Sequence, residues 1–448
     1  MFIHAETALL PTGWASNVRL EIANGKILSV KQGVEAVAGD ERHAVLVPAM
    51  PNLHSHAFQR AMAGMVERRG ATEDSFWSWR TLMYRFALSM TPEQVEAVAA
   101  QLYMEMLEAG FGRVGEFHYL HHDKDGAHYA NIAELAERIA AAASQTGISL
   151  TLLPVLYAHS GFGGQQPVEG QRRFINSTDS FARLLEGCRR AVSALPASVV
   201  GVAPHSLRAV TPEELSFAAQ LAPDAPLHIH IAEQVKEVED CIAWSGRRPV
   251  EWLLDKAEVS DRWCLIHATH MTDAETKGVA KKGAIAGLCP ITEANLGDGT
   301  FSAVEFLKHG GTFGIGSDSN VLIGVGEELR QLEYSQRLSH RARNVIAPAN
   351  GSTGRTLFDG ALTGGAKALG AKAGIAAGNA ADFSSLNAEA APYLQGDDIL
   401  DGWIFGNLVK PIEVVDIVKI MLRRLPPWIR RKFADEIRFV PGPYVVQT

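Results

Sequence analysis

The stretch VPAMPNLHSH, Val47 to His56, ends an apolar run with two histidines one residue apart. On a β-strand, side chains i and i+2 point to the same side. His54 and His56 would therefore offer two imidazoles to one point, which is how a metal site begins. In a chain with 16 histidines the pattern is cheap on its own. Its weight depends on what the rest of the chain adds.

Working outward, apolar strand-like runs alternate with helix-like stretches. After Val47–His56 come RVGEFHYL (113–120), LTLLPVLYAH (150–159), VVGVAPHSL (199–207), PLHIHIAE (226–233), RWCLIHATH (262–270), GAIAGLCPITEAN (283–295) and TFGIGSDS (312–319). Between them lie patterns such as TPEQVEAVAAQLYMEMLEAG, where Thr91 caps a helix and Pro92 occupies its first turn. Near-continuous apolar strands separated by helices indicate a parallel sheet, and eight of them fit a (β/α)8 barrel of about 250 residues. The predicted class is α/β, a TIM barrel over 47–370 with a small β-sandwich domain built from both termini, 1–46 and 371–448. In VRLEIANGKILSV, Asn24-Gly25 between alternating runs predicts a hairpin. GIAAGNAADFSSL (374–386) is expected to return to this β unit. The stretch VVDIVKIMLRRLPP keeps an apolar start and then reads as a helix, which argues against strand closure from that end.

Nearly every barrel strand ends in a polar or ionisable residue: His54 and His56, His118, His159, His205, His230, His267 and Asp318. In a parallel barrel all these ends share one face, where the chemistry of such barrels sits. A catalytic zinc takes three or four protein ligands and keeps a position for water. His54, His56, His230 and Asp318 are the predicted set. His228 faces the same way as His230 but one layer lower, and reads as a buried core histidine. Imidazole and carboxylate without thiolate suit zinc, with iron or manganese as alternatives. Water on such a metal is acidified to a pKa of about 7 and becomes a nucleophile. Glu233 could pass a proton from that water to a leaving nitrogen, His267 could bond the attacked centre, and Asp318 could act as ligand and base at once.

Bulk properties set bounds. The net charge of −8, from 42 basic and 50 acidic residues, argues against nucleic acid as a partner. The basic cluster Arg423, Arg424, Arg430, Arg431 and Lys432 reads as a solvated helix face. No apolar run reaches the roughly 18 residues of a membrane span, and MFIHAETALLPTGW is no signal peptide. Four scattered cysteines fit a reducing cytoplasm.

His54-x-His56, His230 with Glu233, His267 and Asp318 resemble the ligand and catalytic set of the amidohydrolase superfamily. No lysine ends the fourth strand-like run to bridge two metals, so the likeness is to the one-metal aminohydrolases. PNLHSHAFQRAMAGMVE, SFWSWR, GEFHYLHHD, APHSLRAV and HIAEQ are similar to the N-formimino-L-glutamate deiminases of histidine degradation. That resemblance implies one zinc per chain, a homodimer, and attack of metal-bound hydroxide on the formimino carbon to give N-formyl-L-glutamate and ammonia. Arg80 and Arg208, in the matched motifs, suit a small dianionic amino-acid derivative, because arginine binds carboxylates bidentately. Surface salt bridging is the alternative for both. The resemblance adds Gln59, Tyr119 and His205 as substrate-binding groups. His121 and His122 read as loop residues and His118 as a packed strand end. FWSWRTLMYRF and HSGFGGQQP are lid candidates, with core packing and plain surface loop as their respective alternatives. A deaminase of a purine or other ring amidine, and a non-catalytic binding protein, are the competing functions.

Overall fold

The computed structural model describes residues 1–67, 69 and 74–415. The chain opens with β1 (Phe2–Leu10), β2 (Gly13–Ala23), β3 (Lys26–Lys31) and β4 (Glu41–Pro48). The β2–β3 hairpin turns at Asn24 and Gly25, with φ of 52° and 70°. Two successive left-handed residues are what a tight turn matching the strand twist requires.

Next come β5 (Met50–Ser55), β6 (Phe111–His118), β7 (Ser149–Leu156), the short β8 (Val199–Val200) and β9 (Ala203–Pro204), β10 (Leu227–Ile231), β11 (Trp263–His267), β12 (Ile285–Leu288) and β13 (Thr312–Ile315). β5, β6 and β7 pair in parallel, and β7 also pairs with β8 and β9. Parallel bridges Val202–Leu227 and Ser206–His230 carry the sheet to β10, which continues through β11 and β12 to β13. A bridge between Ser55 and Asp318 joins β13 to β5. The eight strand positions thus close into a barrel wrapped by helices. β8 and β9 together occupy the fourth position.

β14 (Phe383–Asn387) pairs antiparallel with β4, and β15 (Lys410–Val415) pairs antiparallel with β14. One six-stranded sheet results, in the order β15-β14-β4-β1-β2-β3. It has its own apolar cluster of Ile3, Val18, Leu20, Ile22, Ile27, Leu46 and Phe383, among others. The apolar start of that stretch, Val414 and Val415, ends the strand β15, so this end does extend the sheet and the doubt about its closure is removed. The tail beyond, expected to be helical, and its basic cluster lie outside the described residues.

The helix Thr353–Ala368 lies against β13 and β5 and ends at the lower mouth of the barrel, where Leu369 packs with Leu53, Cys264 and Ile266. Its close approach requires glycine. A Cβ at Gly364 would stand 1.8 Å from the Phe313 carbonyl oxygen, and one at Gly360 would stand 2.6 Å from the Phe313 ring. Gly364→Ala is expected to cost about 3 kcal/mol, the upper range of overpacking, read as a lower denaturation midpoint. An unchanged midpoint would mean that the helix does not seat on β13 in this way.

Candidate active site

His54 and His56 sit at the upper end of β5, where the register with β6 shifts between Asn52 and Ser55. Irregular pairing of this kind re-aims side chains beside active sites. The His54 Nε2 lies 3.2 Å from His56 Nε2 and 3.0 Å from His230 Nε2. The Asp318 Oδ1 lies 3.3 Å from His54 Nε2 and 3.1 Å from His56 Nε2. These four residues, all buried, form one of three groups of potential metal donors among the described residues.

The donor set fits a cation. His56 Nδ1 faces the Phe117 carbonyl at 3.0 Å and His230 Nδ1 faces the His205 carbonyl at 3.2 Å. A carbonyl only accepts, so each Nδ1 carries the proton and each Nε2 turns a lone pair inward. Burial pushes the His54 imidazole down to about 3 and the His230 ring well below its ordinary value. Burial opposes the Asp318 carboxylate, yet its contacts with His54 and His56 hold it well below the usual range. Neutral lone pairs and a carboxylate converging within 3.3 Å repel unless a cation lies among them. A tetrahedral shell with bonds of about 2.0 Å has edges of about 3.3 Å, close to those observed.

Behind this cluster the barrel seam is locked by polar groups. Asn52 donates to Ser317 Oγ at 2.6 Å, and Asn320 Nδ2 donates to the His56 carbonyl at 3.0 Å. Asp318 and Asn320 both hold left-handed backbone, at φ 45° and 59°, and so do His267 (67°) and Ala268 (49°) at the end of β11. Such conformations persist where surrounding contacts over-determine them.

His267 is buried and bonded through Nδ1 to Glu293 Oε1 at 3.2 Å, leaving Nε2 3.8 Å from Glu233 Oε1 and 3.9 Å from Asp318 Oδ2. Burial opposes its charge, but Glu233, Glu293 and Asp318 outweigh that and raise it to about 10. Burial likewise pushes the Glu233 carboxyl up to about 7. Glu237 receives the backbone N–H groups of Ala232 and Glu233 and so fixes the turn that aims Glu233.

A cavity opens above these groups. Gln59, Arg80, Tyr119, His205 and Arg208 all line it, together with His56, His230, Glu233, His267 and Asp318. Gln59 Nε2 donates to the Tyr119 hydroxyl at 2.9 Å. Arg208 is buried with its Nε unpartnered, and Arg80 lies over the Trp77 and Tyr84 rings. Among the described residues neither arginine pairs with a carboxylate, so the salt-bridge alternative is not observed. The aromatic run forms the helix Phe76–Ala87, whose Phe76, Trp79, Arg80, Met83 and Tyr84 wall the cavity.

Other strand-end histidines turn away. His118 packs against His121, and His159 pairs with Glu214 at 3.0 Å; neither lines the cavity. Tyr119 and Tyr157 stand there instead. His228 bonds the Ala368 carbonyl at 2.7 Å, one layer below. His121 and His122 follow β6 as loop residues, but both are buried and bonded to carbonyls. HSGFGGQQP lies off the cavity, with Phe162 stacked on Trp244. Sequence reading missed Glu293, Glu237, Tyr84, Tyr157 and Asp298, the last a buried acid grouped with Glu233 and His267. Tyr157, at the end of its strand-like run, and Tyr84, inside the aromatic lid candidate, carried a positional signal.

Residues 45–409 match the amidohydrolase family, and residues 1–44 match the N-terminal domain of formimidoylglutamate deiminase HutF. The chain belongs to the amidohydrolase family, whose members are metal-dependent. Within it, the chain is similar to the formimidoylglutamate deiminase of Pseudomonas aeruginosa, 54% identical over 90% of each chain. The crystal structure of an amidohydrolase from Brucella melitensis is 62% identical, with a TM-score of 0.94 over 98% of this chain and 99% of that one. The 5-methylthioadenosine/S-adenosylhomocysteine deaminase of Natronomonas pharaonis is 26% identical over 86% of this chain and 83% of its own.

The two histidines of β10 are separable by experiment. His230→Asn is expected to reduce bound metal to a small fraction of one ion per chain. His228→Asn should keep the metal and lower the melting temperature. Elemental analysis alongside thermal melting checks both, and metal loss in the His228 variant alone would reverse the assignment.

Proposed function

We propose that the protein hydrolyses N-formimino-L-glutamate to N-formyl-L-glutamate and ammonia, using one zinc ion held by His54, His56, His230 and Asp318. The observation that carries this reading is one cavity with a three-imidazole, one-carboxylate cluster and two arginines that have no carboxylate partner among the described residues. The likeness to a formimidoylglutamate deiminase supports it. Imidazole and carboxylate donors suit zinc, and such an ion supplies an acidified water and Lewis acidity.

The chain's own residues supply the rest. Arg80 and Arg208 take the two carboxylates and so direct the formimino head toward Glu233 and His267. Both arginines sit against apolar or aromatic walls, where an anion replaces lost hydration with charge-assisted bonds. His267, held by Glu293, points Nε2–H at the space between Glu233 and Asp318 and donates to the substrate as its C=N bond becomes tetrahedral. Glu233, pushed up to about 7, takes a proton at neutral pH and gives it back to the departing nitrogen. Asp318 accepts the proton released as water adds. The balance is one water consumed, the C–NH2 bond broken and ammonia released, with no redox change.

Removing a bidentate cation should weaken substrate binding more than chemistry. Arg208→Ala is expected to raise KM for N-formimino-L-glutamate about tenfold to a hundredfold with a smaller change in kcat. Glu233→Gln should lower kcat by about a hundredfold to ten-thousandfold with metal content intact. Steady-state kinetics on this substrate is the test, and an Arg208 variant with unaltered KM would refute the carboxylate assignment.

A further inference from the structure

Two phenols in the cavity wall have a hydrogen-bond count that does not close within the protein. Tyr84, on the helix Phe76–Ala87, and Tyr157, just past β7, both line the cavity beside Arg80 and Arg208. Their hydroxyl oxygens lie 3.2 Å apart. Behind them stands Gln171, buried in the short helix Glu169–Gln171. Its Oε1 accepts the Val168 backbone N–H at 2.9 Å, which fixes the orientation of the amide. The Nε2 group therefore faces the phenols, 2.9 Å from the Tyr157 oxygen and 3.4 Å from the Tyr84 oxygen.

The donors and acceptors can be counted. Nε2–H only donates, so both phenol oxygens act as acceptors toward Gln171. Each phenol brings one proton. One of the two lies between the oxygens, in the 3.2 Å contact. The other has no acceptor among the described residues, because neither hydroxyl has a further partner there. Burial, together with the neighbouring Tyr84, raises the Tyr157 phenol above its ordinary value, so it stays a donor.

A donor left over beside two arginines that have no carboxylate partner among the described residues suits an anionic oxygen. We propose that Tyr84 and Tyr157, set by Gln171, act as a specificity-determining pair that presents its one remaining O–H to a carboxylate of the substrate. The inference rests on the deiminase reading above. It deepens that reading by separating one carboxylate, held by cation and hydroxyl together, from a contact made by arginine alone. The pair also explains why Gln171, outside the cavity lining, is buried at this point: its amide leaves the pair's second proton only the cavity to face.

The test uses the zinc-loaded full chain, N-formimino-L-glutamate and its two monoamides. Tyr84→Phe and Tyr157→Phe are each expected to raise KM for the diacid about threefold, since one O–H remains but loses its partner. The double variant should raise KM about thirtyfold or more, beyond the product of the singles, with kcat falling less. Preference for the diacid over one monoamide should shrink in each single variant and most in the double, because a carboxylate accepts a stronger bond than an amide. The singles carry the test if the double does not fold. Equal loss on the diacid and both monoamides, or losses that appear only in kcat, would overturn the proposal and leave the deiminase reading intact. An unmodified chain inactive on N-formimino-L-glutamate would overturn both.

Discussion

The structure depends on the seam where the last barrel strand meets the first. Asp318 donates its backbone N–H to the His54 carbonyl at 2.9 Å, and His56 donates its own to the Asp318 carbonyl at 3.0 Å. The residues that close the barrel by backbone are the same ones whose side chains converge above it. Closure of the fold and assembly of the donor cluster are thus one event. Asn52, Ser317 and Asn320 fasten the seam from below, so the left-handed backbone at Asp318 is held by bonds on both sides. Unfilled, three inward lone-pair groups beside a carboxylate would strain this seam. A bound cation is expected to stabilise the fold as well as serve the chemistry.

Much of this was legible in the sequence because it follows from periodicity. His-x-His at a strand end, the Asn-Gly turn and the eight apolar runs each rest on a local rule, and the folded chain follows them. Rules of alternation fail where a strand is irregular or ends. His118 and Tyr119 are neighbours at the end of β6, and which of them faces the cavity depends on strand register, which sequence does not display. Phe117 packs against His54, His56 and His230, so 117 and 119 point inward and His118 points out. The same limit hid the partners of the reacting groups. Glu293 and Asp298 reach His267 and Glu233 from a separate βα connection, and nothing in CPITEAN or LGDGT announces such long-range neighbours.

The electrostatics divide the cavity into two halves. Below, burial and mutual contact keep the His54 and His230 imidazoles neutral, while burial raises Glu233 and acids surround His267. Above, an otherwise acidic chain gathers Arg80 and Arg208 against Trp77, Tyr84 and Tyr157. An amidine head needs the lower half and a dicarboxylate tail needs the upper. A neutral purine would leave the buried Arg208 guanidinium without a direct carboxylate partner, which is unfavourable.

Ammonia release by the purified, zinc-loaded protein tests the central claim most directly. The substrates to compare are N-formimino-L-glutamate, guanine, cytosine, adenosine and S-adenosylhomocysteine. The account predicts rapid turnover of N-formimino-L-glutamate alone, with N-formyl-L-glutamate formed in equal amount. Turnover of a ring substrate instead, or silence on N-formimino-L-glutamate with metal bound, would contradict it.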